Sequence, residues 1–284
     1  MRLFLCSCLA SVSLLLSGCS NLTSLFFYPQ SQHVRTPTDL GLLHEEVVLT
    51  TADNTRLVSW FLPAQNLALV DSNFSSNSNS PIVLFLHGNA ENISTHIGSV
   101  YWLPENGVDV FLLDYRGFGH SKGSPFIPAV FQDVEASLLW LRQRFPQRPI
   151  YILGQSIGAA IATTSMALFE KDYAINGLIL DASLTGYRDI AQHVTSKSFI
   201  TWFVWPLTWL LPTQWDPIDH IDKISTKPLL MLHSQSDAVL PYADAYQLFE
   251  QASEPKDWHE SKGGHIKTFN YAEYRQVLLE FLMQ

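Results

Sequence analysis

Ile150-Tyr151-Ile152-Leu153 is a short apolar run that breaks at Gly154-Gln155-Ser156-Ile157-Gly158 and resumes as Ala159-Ala160-Ile161-Ala162. A fully apolar tetrad ended by glycine reads as a buried strand, and the alanine-rich run behind it favours helix. A strand that turns into a helix within five residues has almost no space at the turn. That explains glycine two residues to either side of Ser156. The helix beginning there aims unpaired N–H groups toward the serine hydroxyl, where they can receive negative charge. Ser156 is therefore a candidate nucleophile whose partners must come from elsewhere in the chain.

The same rhythm runs on both sides of it. Glu45 to Thr51 and Leu57 to Leu62 flank Ala52-Asp53-Asn54 and read as a β-hairpin. Apolar strands follow at Ile82 to Leu86, Val108 to Leu113, Ile150 to Leu153, Leu178 to Leu180 and Leu229 to Leu232, with a weaker one at Asp257 to Glu260. Between them lie helical stretches at Asn92 to Pro104, Ala129 to Phe145, Ser156 to about Lys171, Ala243 to Ala252 and Tyr271 to Leu282. Short apolar strands separated by helices imply an α/β fold, a mostly parallel twisted sheet with helices on both faces. The Ser/Asn-rich stretch from Ala64 to Pro81 is expected as a surface loop within that domain.

The N-terminus reads as an address. Arg2 precedes an apolar run from Leu3 to Leu16, too short for an ordinary membrane span, and Leu16-Ser17-Gly18-Cys19 resembles a bacterial lipobox. On that reading Cys19 is lipidated and becomes the first residue. All three cysteines are Cys6, Cys8 and Cys19, so the folded part holds no thiol for disulfides, nucleophilic attack or thiolate metal sites. Ser20 stands where an aspartate would resemble an inner-membrane retention signal. The expected place is the cell envelope, lipid-anchored at the outer membrane and facing the periplasm. The expected organisation is a signal peptide over 1–18, a tether and lead-in over 19–43, and one domain over 44–284. A net charge of −9 without a basic stripe excludes a nucleic-acid surface.

One segment breaks the alternation. Thr185 to Ile224 separates two strands by far more than a crossover requires, so a cap insert is expected at about 185–224. Trp202, Trp205, Trp209 and Trp215, four of the eight tryptophans, fall within it. They are expected to form a lid that contacts an apolar substrate or touches a bilayer, or to pack the insert onto the sheet.

A serine hydroxyl needs a base, and the base needs a third group to hold its tautomer. After a strand–serine–helix turn, the chain order is Ser, acid, His. Asp237 follows the strand ending at Leu232, and His265 follows Ser261-Lys262-Gly263-Gly264 beyond the last strand. Both lie at carboxyl ends of strands, where open α/β sheets place their sites.

With these residues on view, the chain resembles the α/β-hydrolase superfamily over roughly residues 45 to 284. The resemblance rests on His87-Gly88-Asn89-Ala90-Glu91-Asn92, Asp114-Tyr115-Arg116-Gly117-Phe118-Gly119-His120-Ser121, the Ser156 turn, the Asp237 loop and Gly264-His265. The first segment is similar to that of small, often membrane-associated serine hydrolases with a His-Gly-Asn-Ala loop. It implies an α/β-hydrolase fold with a helical cap insert. It implies Ser156 as nucleophile, His265 as general base and then acid, Asp237 as its orienting acid, and an oxyanion hole from the N–H groups of Asn89 and Ile157. Asp181, also after a strand, is the alternative acid, since some members carry theirs there. Asp114 reads as structural and His87 as a support of the oxyanion loop. His96, His193, His220, His233 and His259 have no motif around them.

No metal and no cofactor are expected: no His/Asp/Glu cluster has ligand spacing, and no glycine-rich phosphate loop appears. The expected activity is cleavage of carboxylic acyl bonds through an acyl-serine intermediate. Its expected partners are a small-molecule acyl substrate, an apolar ester first, and the membrane through Cys19. A peptidase, thioesterase or acyltransferase of the same fold, or a non-catalytic envelope lipoprotein, stand as alternatives.

Overall fold

The computed structural model describes residues 22–65, 80–197, 199–225 and 227–283. The signal peptide, Cys19 and most of the Ser/Asn-rich loop lie outside them. In chain order the strands are β1 (Tyr28–Pro29), β2 (Glu45–Thr50), β3 (Arg56–Leu62), β4 (Ile82–Leu86), β5 (Ala90–Glu91), β6 (Asp109–Leu113), β7 (Ile150–Gln155), β8 (Gly177–Asp181), β9 (Leu229–Ser234) and β10 (Lys256–Ser261). The helices are α1 (Ile93–His96), α2 (Ala129–Arg144), α3 (Ile157–Phe169), α4 (Tyr187–Ser196), α5 (Phe199–Trp202), α6 (Tyr242–Gln251) and α7 (Ala272–Leu282).

Eight strands form one sheet in the order β10-β9-β8-β7-β4-β6-β3-β2. The β2–β3 hairpin and the β3–β6 pair are antiparallel, and every other pair is parallel. The central strands are apolar throughout because both their faces are covered. Ile82, Leu84, Ile150 and Ile152 join a core with Val130, Val134 and Leu138 of α2 and Ala159 to Ala162 of α3. Val83, Phe85, Tyr151 and Leu153 point the other way, into a core with Ile93, Ile97, Leu278 and Phe281. The two-residue period of the pleat divides one apolar run between two cores.

Three segments take forms that the sequence alone did not specify. The helix expected from Asn92 to Pro104 is α1 followed by separate 3-10 turns at Ile97–Ser99 and Pro104–Asn106, since Gly98 and Pro104 interrupt it. Within 22–43 the lead-in is folded onto the domain. A 3-10 helix at Leu22–Phe26 and strand β1 lie against the domain, Phe27 is buried in the core, and the hydroxyl of Thr23 accepts the Ile127 N–H at 2.8 Å. The long insert takes the form of α4, α5 and short 3-10 turns, and residues from it line the cavity at the sheet's carboxyl end. Among the described residues no helix is long and apolar enough to cross a membrane.

Candidate active site

The carboxyl ends of β4, β7, β9 and β10 open onto one edge, and the sequence-derived site residues meet there. Ser156 sits between β7 and α3 at φ 58° and ψ −122°, a conformation that L-residues seldom adopt. The crowding inferred from the motif is present. A Cβ on Gly154 would lie 2.3 Å from the Gly158 carbonyl oxygen, and one on Gly158 would lie 2.1 Å from that of Leu86. Only glycine fits at either place, and the turn thrusts the serine side chain off the end of the sheet.

His265 arrives on the loop after β10. Gly263, at φ 90°, makes the bend, and its carbonyl accepts the Ser234 hydroxyl at 2.6 Å, fixing the loop to the end of β9. His265 Nε2 lies 2.9 Å from Ser156 Oγ, and His265 Nδ1 lies 2.8 Å from Asp237 Oδ2. The other Asp237 oxygen accepts the N–H groups of Val239 and Leu240 at 2.8 and 3.0 Å. Burial works to raise this carboxyl, but the His265 hydrogen bond and the Leu240 N–H outweigh it and hold Asp237 below its ordinary range. The carboxylate is thus ionised and fixed, able to hold Nδ1 protonated and leave Nε2 free to accept the serine proton.

Asp181, the alternative acid, goes elsewhere. It is fully buried, accepting Gln155 Nε2 at 2.7 Å and Thr268 Oγ1 at 2.6 Å, and burial pushes it up to about 6 despite those bonds. It ties the residue before Ser156 to the loop after His265.

Asn89 and Ile157 line the same cavity as Ser156 and His265. The loop bearing Asn89 is braced from behind. His87 Nδ1 lies 2.8 Å from the Gly88 carbonyl oxygen, and His96 Nε2 lies 3.1 Å from that of Ala90 while its ring stacks on His87. Asp114 accepts the Ile93 N–H at 2.9 Å and stands between His87 and His33, at 3.4 and 3.5 Å. His96 therefore has a partner role that its sequence surroundings did not signal. The lead-in adds a second brace, in which the Tyr28 N–H donates to the Asn89 carbonyl at 2.7 Å. Asn92 caps α1 by accepting the Ser94 N–H, and its amide donates to the carbonyls of Gln30 and Gln32 at 2.9 and 2.8 Å.

The cavity above Ser156 has a volume of about 690 Å³. Leu184, Tyr187, Ile190 and Leu211 line it together with Leu22 and Phe26 of the lead-in, the Phe26 ring lying 5.7 Å from that of Tyr187. None of the four insert tryptophans lines it; Val204, Leu207 and Thr208 between them do. Trp215 instead packs on the core beside Phe131 and stacks on His220, and Trp209 lies under the Arg188 guanidinium. The lining contains no Asp, Glu, Lys or Arg.

This arrangement of strand order, elbow and cap can be set beside known proteins. Residues 77–220 match the family model described as serine aminopeptidase, S33. The chain belongs to that family. It is 31% identical over 265 residues to an uncharacterized protein, YfhR, of Escherichia coli (strain K12), covering 91% of this chain and 86% of the relative. Over 214 residues it is 30% identical to lysophosphatidylserine lipase ABHD12 of Danio rerio, covering 72% of this chain and 56% of that one. The esterase Pf2001 of Pyrococcus furiosus superposes at a TM-score of 0.71 and 22% identity, over 90% of this chain and 96% of its own. The fold of this S33 member is the α/β-hydrolase fold, and the protein is a hydrolase.

Proposed function

We propose that the protein hydrolyses carboxylic esters of apolar acyl groups through an acyl-Ser156 intermediate. The observation that carries this reading is the Asp237–His265–Ser156 hydrogen-bonded chain opening into an uncharged, mostly apolar cavity. Ser156 Oγ attacks the acyl carbon as His265 Nε2 takes its proton. The oxyanion so formed meets the N–H groups of Ile157 and Asn89. Collapse expels the alcohol, which leaves with the proton from His265. A water then repeats the sequence on the acyl-serine, releasing the acid and restoring the hydroxyl.

The family label names an aminopeptidase, and the cavity argues against that substrate here. A peptide's free α-ammonium would need a carboxylate beside it, and burying it in this cavity without one is costly. Esterase and lipase relatives are in keeping with an ester. We further propose that lipid on Cys19 holds the protein at the outer membrane, since the residues before it read as a lipobox.

A fluorophosphonate probe is expected to label the wild type and to miss Ser156→Ala and His265→Ala. Absence of labelling in folded wild type would favour a non-catalytic envelope lipoprotein. Short- and long-chain p-nitrophenyl esters should be cleaved, and aminoacyl amides should not. Exclusive amide cleavage would replace the ester by a peptide, and product analysis with thioesters and alcohol acceptors separates the remaining acyl-transfer reactions. Metabolic palmitate should enter the wild type and not Cys19→Ala.

A further inference from the structure

Six residues both line the cavity and stand exposed: Leu25, Tyr28, Val194, Val204, Leu207 and Val239. They mark its mouth, and none carries charge. The apolar surface continues past it. Phe203, 65% exposed, precedes Val204 and packs edge-on against Phe199 and Trp202, with ring centres 5.6 and 5.7 Å away. Trp202 and Trp209 are 58% and 60% exposed. Residues 199–211 contain no Asp, Glu, Lys or Arg, and neither do residues 22–29, in a chain of net charge −9. Such a rim is costly in water and is relieved by an apolar partner.

The chain's own course indicates the partner. Leu22, in the cavity wall, is three residues from Cys19 and six from Leu16, where the apolar leader run ends. Three extended residues span about 10 Å. A membrane that holds the leader or a lipid on Cys19 must therefore lie close to this mouth and to no other face of the domain.

We infer that the rim docks on a lipid bilayer, with Trp202 and Phe203 below the headgroups, and that an acyl ester dissolved in the membrane enters the cavity directly from it. The choice of substrate rests on the ester-hydrolase reading above; the docking does not. The rim segments themselves carry no charge, and Arg188 and Lys197 beside them are tied to the Leu211 and Ala238 carbonyls, so contact is driven chiefly by apolar burial and needs no anionic lipid.

The test uses the full-length protein purified from membranes and reconstituted into phosphatidylcholine vesicles with brominated acyl chains, which quench tryptophan on contact. Quenching is expected in the wild type and a part of it should be lost in Trp202→Phe. A second variant, Trp202→Asp with Phe203→Asp, should hydrolyse a long-chain ester carried in the vesicles about tenfold more slowly or worse. Its turnover of soluble p-nitrophenyl butyrate should stay within about twofold, because neither residue lines the cavity. No quenching loss in Trp202→Phe, or equal loss on both substrates, would overturn the inference. A wild type inert toward the soluble ester would instead sink the hydrolase reading, and quenching would still decide the docking.

Discussion

At Ser156 the backbone is held at φ 58° by its surroundings: its N–H donates to the Asp181 carbonyl at 3.0 Å, and Gly154 and Gly158 let α3 close onto β4. Such conformations cost a non-glycine residue about 1–3 kcal/mol. Ser156→Gly removes that strain, less the roughly 0.5–1 kcal/mol of added chain entropy. The variant should melt about 2–4 °C higher while losing all probe labelling, read by calorimetry on the same sample. A lower melting temperature would mean that the turn is unstrained. The serine, histidine and aspartate were readable from sequence because glycines and strand ends surround them. His96 was not, because its contacts with His87 and Ala90 arise from a turn of the loop that no local pattern records.

Among the elements, the contact between the lead-in and the Asn89 loop is the one that sequence reasoning missed. A two-residue strand and a 3-10 turn are too short to show any period, so 22–43 looked featureless. Yet β1 pairs with β5 in parallel, Tyr28 opposite Ala90, and Asn92 fastens both segments. Asn92→Ala would strand buried carbonyls and the α1 N-terminus, costing about 2–4 kcal/mol. Because the Asn89 loop loses its brace, ester turnover should fall further than ester binding. The check is kcat measured separately from KM, with thermal melting alongside. A melting change with normal kcat would limit Asn92 to stability.

For the whole molecule, buried carboxyls set how stability varies with pH. Burial raises Asp181 to about 6, and raises Asp216, near Asp189 and Asp219, to about 7. Their unfolded counterparts titrate near 4. Between about pH 4 and 7 the folded protein therefore keeps protons that the unfolded chain has released, so these two groups lose stability as pH rises through that window. Asp237, held low, acts oppositely: its contribution is present above about pH 4 and is lost on acidification. Asp181→Asn should flatten the loss between pH 4 and 6, worth on the order of 3 kcal/mol. The Gln155 amide can turn its otherwise unpartnered oxygen toward the new side chain. Melting curves at several pH values decide it, and an unchanged slope would show that Asp181 does not titrate in this range.

The parallel α/β sheet was legible from residue order alone, since strands covered on both faces must be apolar throughout and helices must separate them. The Ser156 turn, the His265 loop and the Asp237 loop were legible for a related reason: each lies at a strand end, and the α/β-hydrolase resemblance supplied their order. Folding then settled which acid faces the histidine, because Asp181 and Asp237 follow adjacent strands and differ only in which partners surround them. It also left the insert's tryptophans out of the cavity lining and brought the lead-in onto the Asn89 loop. Those outcomes depend on contacts between residues far apart in the chain, and such contacts leave no periodicity to read.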